Sequence, residues 1–231
     1  MNIFEKLFAQ TEIPKLYPVH FTLPRGTIKR AEIEALLFGE FAEKRLDCQI
    51  RPGMSVAIAV GSREITNLVE IVKTVVEFVK RSGGIPFIFP AMGSHGGAAA
   101  KGQLEVLSGY GVTEAAMGCP IHSSMETVQI STTASGLPVH IDKYADQADG
   151  IIVIGRIKPH TDFRGKYESG LMKMLTIGLG KQCGANLCHS MGMSNMPETI
   201  EAYAGEVLRL KNVICGVGII EDAFHATYRL T

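Results

Sequence analysis

The sequence predicts an α/β fold, a mainly parallel sheet with helices on both faces in a Rossmann-like arrangement. Three observations carry this expectation. Short apolar runs at residues 54–60, 85–89, 151–154 and 213–220 read as strands, and the β-branched run at 151–154 has the character of one buried on both faces. Segments with a helical apolar period lie between them, so strands and helices alternate along the chain. Polar or glycine-rich turns follow the strands, where open α/β sheets bind their ligands.

Residues 1–25 carry scattered apolar side chains and prolines at 14, 18 and 24, and read as an irregular arm. From Thr27 a helical period begins, with Ile28, Ile33, Leu36, Leu37 and Phe41 on one face. The strand at 54–60 ends in the turn Gly61-Ser62-Arg63. Residues 67–81 form an amphipathic helix through Leu68, Ile71, Val72, Val75, Val76 and Val79, stopped by Gly83-Gly84. The strand at 85–89 leads into the loop Pro90-Ala91-Met92-Gly93-Ser94-His95-Gly96-Gly97 and then a helix at 99–108. Thr113 caps a short turn at 114–116, and strands at 127–132 and 137–141 flank Ala134-Ser135-Gly136 as a hairpin. A brief helix at 144–147 feeds the strand at 150, and residues 169–175 are an apolar helical segment holding one lysine. Residues 197–210 are helical, with Pro197 in the first turn. The chain stops soon after the strand at 213–220 with no closing helix, so we expect the gene product to continue beyond residue 231.

Length allows one large domain or two small ones, and no repeat, low-complexity tract or linker divides the chain. Lysine plus arginine and aspartate plus glutamate number 23 each, for zero net charge, which argues against a nucleic-acid or anionic-membrane surface. No apolar run approaches a membrane span, and the N-terminus lacks the pattern of a signal peptide; both imply a cytoplasmic protein. Cysteines 48, 119, 183, 188 and 215 are odd in number and form no CxxC, as reduced thiols would. Cys183 and Cys188 flank a region of interest, and the bland reading of buried or incidental thiols outweighs metal ligation.

That region runs from residue 150 to residue 189. A buried strand is followed by a polar loop with Lys158-Pro159-His160, then by Ser169-Gly170-Leu171-Met172-Lys173, and sixteen residues after Lys173 by His189. Lys173 sits among Leu171, Met172, Met174, Leu175 and Ile177, where an ammonium is costly to bury. Desolvation there lowers a lysine pKa and makes the amine nucleophilic. The alternatives are a lysine that snorkels to solvent, or one paired with Glu168. Lys158 and Lys181 read as ordinary loop cations, either within reach of a substrate carboxylate. The glycine-rich loop suits an anion held on backbone N–H groups, though it matches neither a Walker motif nor GxGxxG. His95, His160 and His189 each follow or lie near a glycine-rich segment, while His20, His122, His140 and His225 have no comparable context.

Taken in order, Gly93-Ser94-His95, Lys158-Pro159-His160, Ser169-Gly170-x-x-Lys173 and His189 resemble the nickel-dependent lactate racemase family, in its N-terminal domain. The similarity spans roughly residues 53–225, and the chain is more like homologues of undefined substrate than like the lactate enzymes. The resemblance implies a nickel pincer nucleotide, a nicotinic-acid-derived cofactor of the pyridinium bisthiocarboxylic acid mononucleotide type, covalently attached to Lys173. It implies His189 as the protein ligand to nickel and His95 and His160 as the two acid/base groups. Arg63, Gly93, Ser94 and Gly96 would help to bind the cofactor. The implied reaction racemises or epimerises an α-hydroxy acid or sugar acid by reversible hydride transfer. The implied partners are that small hydroxy acid and a C-terminal domain of the same protein, with neither nucleic acid nor membrane, and a homo-oligomer is left open. Where the lactate enzymes carry Asp-x-Thr-Arg after the first strand, this chain has Gly61-Ser62-Arg63-Glu64, so the arginine has a counterpart and the aspartate has none. Two other readings of the same residues are a Schiff-base lyase or aldolase with Lys173 as nucleophile and His160 as base, and a non-catalytic nucleotide- or metal-binding domain.

Overall fold

The computed structural model describes residues 2–9 and 14–231, so residues 1 and 10–13 of the expected N-terminal arm lie outside the described part. The first helices and strands are α1 (Ile3–Phe8), α2 (Ile33–Glu43), β1 (Ser55–Val60), α3 (Leu68–Arg81), β2 (Ile85–Pro90), α4 (Ala100–Gly109) and α5 (Glu114–Met117). A hairpin follows, β3 (Thr127–Thr132) and β4 (Pro138–Asp142), then α6 (Lys143–Gln147) and β5 (Gly150–Arg156). The remainder is α7 (Leu171–Lys173), a π-turn (Met174–Gly178), α8 (Lys181–Ser190), α9 (Met196–Leu210), β6 (Val213–Glu221) and β7 (Thr227–Leu230).

Five strands form the main sheet in the order β2-β1-β5-β6-β7. All neighbours are parallel except β7, which lies antiparallel to β6. Strand periodicity sorts the side chains onto two faces. Val56, Ile58 and Val60 of β1 and Ile152 and Ile154 of β5 join α2, α3 and Leu107 of α4 in one core. Ala57, Ala59, Ile151 and Val153 point the other way, toward the hairpin, α8 and α9. Each fully buried Val, Leu or Ile in these layers contributes roughly 1.5–3 kcal/mol. The predicted α/β class, with helices on both faces of a mainly parallel sheet, is the observed one.

Small residues decide how closely the second layer approaches. A Cβ on Gly216 of β6 would lie 2.6 Å from Leu171 Cδ1, and one on Gly155 of β5 would lie 3.0 Å from Met174 Cγ. Those two glycines let α7 and the π-turn rest directly on the sheet, which is what brings Lys173 to the ends of the strands.

Several local expectations change. A strand the sequence reading missed follows β6: a turn at residues 222–226 returns the chain as β7, with Asp222 accepting from the backbone N–H groups of Phe224 and Ala226 at 2.8 and 2.9 Å. The arm contains the short helix α1. Leu36 faces solvent, and Ile33, Leu37 and Phe41 alone make the buried stripe of α2. The segment expected as an apolar helix at 169–175 is one turn of α-helix continued by a π-turn. Residues 181–190, to which the sequence reading assigns no element beyond a loop at Lys181, are the helix α8. Among the described residues no helix is long and apolar enough to cross a membrane, and all five cysteines are free.

Tyr203 of α9 joins the layers. Its hydroxyl donates to the carbonyl of His140 at 2.5 Å and accepts from the His140 N–H at 2.7 Å, completing the inner edge of β4. Tyr203→Phe leaves both buried backbone groups without a partner, so we expect a loss of about 1–3 kcal/mol in urea unfolding. An unchanged midpoint would show that β4 does not depend on this hydroxyl.

Candidate functional site

β1 has β2 on one side and β5 on the other. The chain leaving β1 turns into α3 and packs on the first core, whereas the chain leaving β5 passes to α7, α8 and α9 on the opposite face. Connections that diverge in this way leave a crevice at the carboxyl ends of the strands. A cavity of about 350 Å³ lies there.

The cavity collects most of the sequence-predicted residues. Arg63 arrives on the turn after β1, Ser94 and His95 on the loop after β2, and Lys158 and His160 on the loop after β5. Lys173 reaches it from α7 and His189 from the last turn of α8. Gly93 and Gly96 do not line it. They lie behind the wall, where the Gly93 carbonyl accepts from Gln103 Nε2 at 2.9 Å. Gly96 meets Gly102 of α4 so closely that a Cβ on Gly102 would lie 2.0 Å from the Gly96 carbonyl oxygen. Their part is to fold the loop that presents Ser94 and His95.

His95 Nδ1 is hydrogen-bonded to the Ser62 hydroxyl, and Ser62 is itself held by the Tyr110 hydroxyl, which donates to the Ser62 carbonyl at 2.7 Å. Desolvation, with Arg63 and Lys173 nearby, pushes the His95 pKa below the ordinary histidine value. His160 is stacked on Phe163 with ring centroids 4.2 Å apart. Its Nδ1 accepts the Asp162 N–H at 3.2 Å, which leaves Nε2 to carry the proton of the neutral ring. Its pKa is lowered too, first by desolvation and then by Lys173. Both imidazoles are therefore biased toward the neutral form.

Lys173 is half-buried, and desolvation holds its pKa below the lysine norm, helped by the cations Arg63 and Lys158. Glu168 is not its partner: that carboxylate accepts from the His160 N–H at 2.8 Å and the Gly165 N–H at 3.3 Å. Of the four cations on the wall, Arg156 is neutralised by Glu221 at 2.5 Å, and among the described residues no aspartate or glutamate lines the cavity. The remaining positive charge of Arg63, Lys158 and Lys173 favours an anionic ligand. Cys188, next to His189, points into the core, and burial pushes its thiol up to about 12.

Lys181 departs furthest from its sequence reading. Expected as a loop cation, it is fully buried at the start of α8, with an ammonium 3.2 Å from Asp142 Oδ2. Gln103 and Asp142, which share this network, carry no local signal in the sequence; the contacts that give them meaning bridge distant segments.

The lactate racemase N-terminal domain family matches residues 12–200. The chain belongs to this family. His95, His160, Lys173 and His189 all fall within the matched stretch. Among solved structures, the lactate racemase apoprotein from Thermoanaerobacterium thermosaccharolyticum is similar with a TM-score of 0.54 and 13% identity, covering 90% of this chain and 48% of that one. That likeness is one of fold, and the chain spans about half the length of the protein it resembles. A search of curated proteins finds no match.

The surroundings of Lys173 make its amine the more reactive of the lysines open to reagent. In the cofactor-free protein, acylation by acetic anhydride followed by peptide mass spectrometry is expected to show half-maximal labelling of Lys173 below the ordinary lysine pKa of about 10.4. Arg63→Gln removes a cation that disfavours the protonated amine, so the midpoint moves upward. A Lys173 midpoint equal to that of Lys101, an exposed lysine, would contradict the electrostatic account.

Proposed function

We propose that this chain is the cofactor-binding and catalytic N-terminal domain of a nickel-dependent racemase or epimerase acting on an α-hydroxy acid or sugar acid. The observation that carries the reading is the convergence of Lys173, His189, His95 and His160 on one positively charged cavity at the switch point of the sheet. Family membership supports the class of reaction.

The residues present suit a nickel pincer nucleotide. Among the described residues no group of three or more His, Cys, Asp or Glu side chains could hold a metal ion. A metal in this cavity must therefore bring donors of its own, leaving one position for His189, whose neutral imidazole suits nickel. Lys173, with an amine biased toward its neutral form, is the group for a covalent link. When bound, the nucleotide supplies a reversible acceptor for the substrate's α-hydride.

The protein's own part is binding and proton traffic. Arg63 and Lys158 hold the substrate carboxylate or the nucleotide phosphate. Inversion at the α-carbon turns the hydroxyl to the opposite side, so one base takes its proton and another returns it. His95 and His160, carried by loops after different strands, fill those two roles. The C-terminal domain of the same protein completes the substrate site, and the protein works in the cytoplasm.

In the full-length, cofactor-loaded protein, His95→Ala and His160→Ala are each expected to reduce turnover in both directions by about 10²- to 10⁴-fold. Nickel and nucleotide remain bound in both variants. His189→Ala lowers nickel content while leaving the Lys173 adduct in place. Near-normal turnover in either of the first two variants would rule out the two-base scheme. Borohydride trapping of a carbonyl substrate on Lys173 without metal would instead favour Schiff-base chemistry.

A further inference from the structure

The wall of the cavity is braced from behind by a polar cluster in an otherwise apolar layer. Lys181 Nζ donates to the Pro90 carbonyl at 2.6 Å and to Gln103 Oε1 at 2.8 Å, and faces Asp142 Oδ2 at 3.2 Å. Gln103 Nε2 in turn donates to the carbonyls of Gly93 at 2.9 Å and His95 at 3.2 Å. Lys181, Gln103 and Asp142 are all fully buried.

The charge on Lys181 has a consequence for Gln103. An amide side chain can present either its oxygen or its NH₂ to a neighbour, and in the free state the two orientations differ little. An ammonium has only donors, so it donates to the Gln103 oxygen and finds no partner in the NH₂. With the oxygen committed to Lys181, the NH₂ is forced toward the glycine loop, where its two hydrogens meet two carbonyls. Those carbonyls bracket Ser94 and end at His95. The ammonium thus dictates, through one amide, where the backbone of His95 sits.

We propose that Lys181, acting through Gln103, is a positioning residue that sets the placement of His95 in the cavity. The same lysine opens α8, the helix that ends in His189. Its bonds therefore also register that helix against the His95 loop. The kinetic part of the argument rests on His95 being an acid/base group; the structural part does not.

Gln103→Glu tests this directly. Glutamate still accepts from Lys181 but has no NH₂, and sets an oxygen against the two loop carbonyls. Gln103→Asn is the second variant: it keeps an amide and withdraws it by one methylene. Each is compared with the wild type by the ring Cε1–H resonances of ¹³C-labelled histidine, assigned from His95→Asn and His160→Asn spectra. The expected result is a shifted or broadened His95 resonance with His160 unchanged. In the full-length, cofactor-loaded protein we expect kcat to fall by roughly 10²-fold, the scale of a small misplacement of a reacting group, with KM little changed and the Lys173 adduct retained. An unmoved His95 resonance in a folded variant overturns the proposal. A moved resonance with normal kcat leaves the positioning role standing and instead removes His95 from the reaction.

Discussion

One buried ammonium holds together the parts of this domain that matter most for its site. Lys181 connects the end of β2, the end of β4, the middle of α4 and the start of α8. Burial pulls its pKa down and pushes that of Asp142 up, so desolvation outweighs what the pair recovers from mutual attraction. Asp142 Oδ2 receives no hydrogen bond, and the contact with Lys181 is coulombic. The other oxygen of Asp142 caps α6, accepting from Tyr144 and Ala145 at 2.8 and 3.3 Å. Even the backbone of Lys181 is unusual, with a φ of 53° that costs about 1–2 kcal/mol in a non-glycine residue. A conformation this expensive persists because the surrounding layers over-determine it. Removing one member of a buried pair typically costs about 3–5 kcal/mol, which makes the cluster a keystone of the second layer.

The brace lies behind the cavity, and the cavity obeys a different electrostatic rule. Behind the wall the buried ammonium of Lys181 faces the Asp142 carboxylate; on the wall Arg63, Lys158 and Lys173 have no carboxylate among the lining residues. Their mutual repulsion is part of what lowers the Lys173 and His95 pKa values. An anionic ligand relieves that repulsion, so the protein stores affinity for an anion in the same interactions that lower the pKa of its amine and imidazoles. Structure and chemistry meet at Gly155 and Gly216, whose missing side chains let α7 lie close enough for Lys173 to join the loops of three strands.

Much of this was legible from sequence. The strands β1, β2, β5 and β6 announce themselves as short apolar runs, α3 as a strong 3.6-residue pattern and α9 by the proline in its first turn. The residues of the site follow strand ends, and their order along the chain resembles one family. What was not legible depends on distance or on glycine. α8 begins in the run Ile177-Gly178-Leu179-Gly180-Lys181, whose glycines suppress helix propensity, and its stability comes from packing against α9 and β4. Lys181 in that context reads as solvent-exposed because its partners, Gln103 and Pro90, stand 78 and 91 residues away. β7 is short, half-exposed and set by its pairing with β6. Local patterns carry such features poorly, whereas the fold makes them obligatory.

The central claim is that the Lys173 amine is the covalent anchor of a nickel-bearing nucleotide. It is tested most directly by intact-mass and metal analysis of the protein co-expressed with cofactor-synthesis enzymes, in cells where the free nucleotide is itself verified by mass spectrometry. The account predicts a mass increase that maps to the peptide containing Lys173, is absent from Lys173→Ala, and is accompanied by stoichiometric nickel. An unmodified Lys173 in those cells, or an adduct that persists in Lys173→Ala, would contradict it.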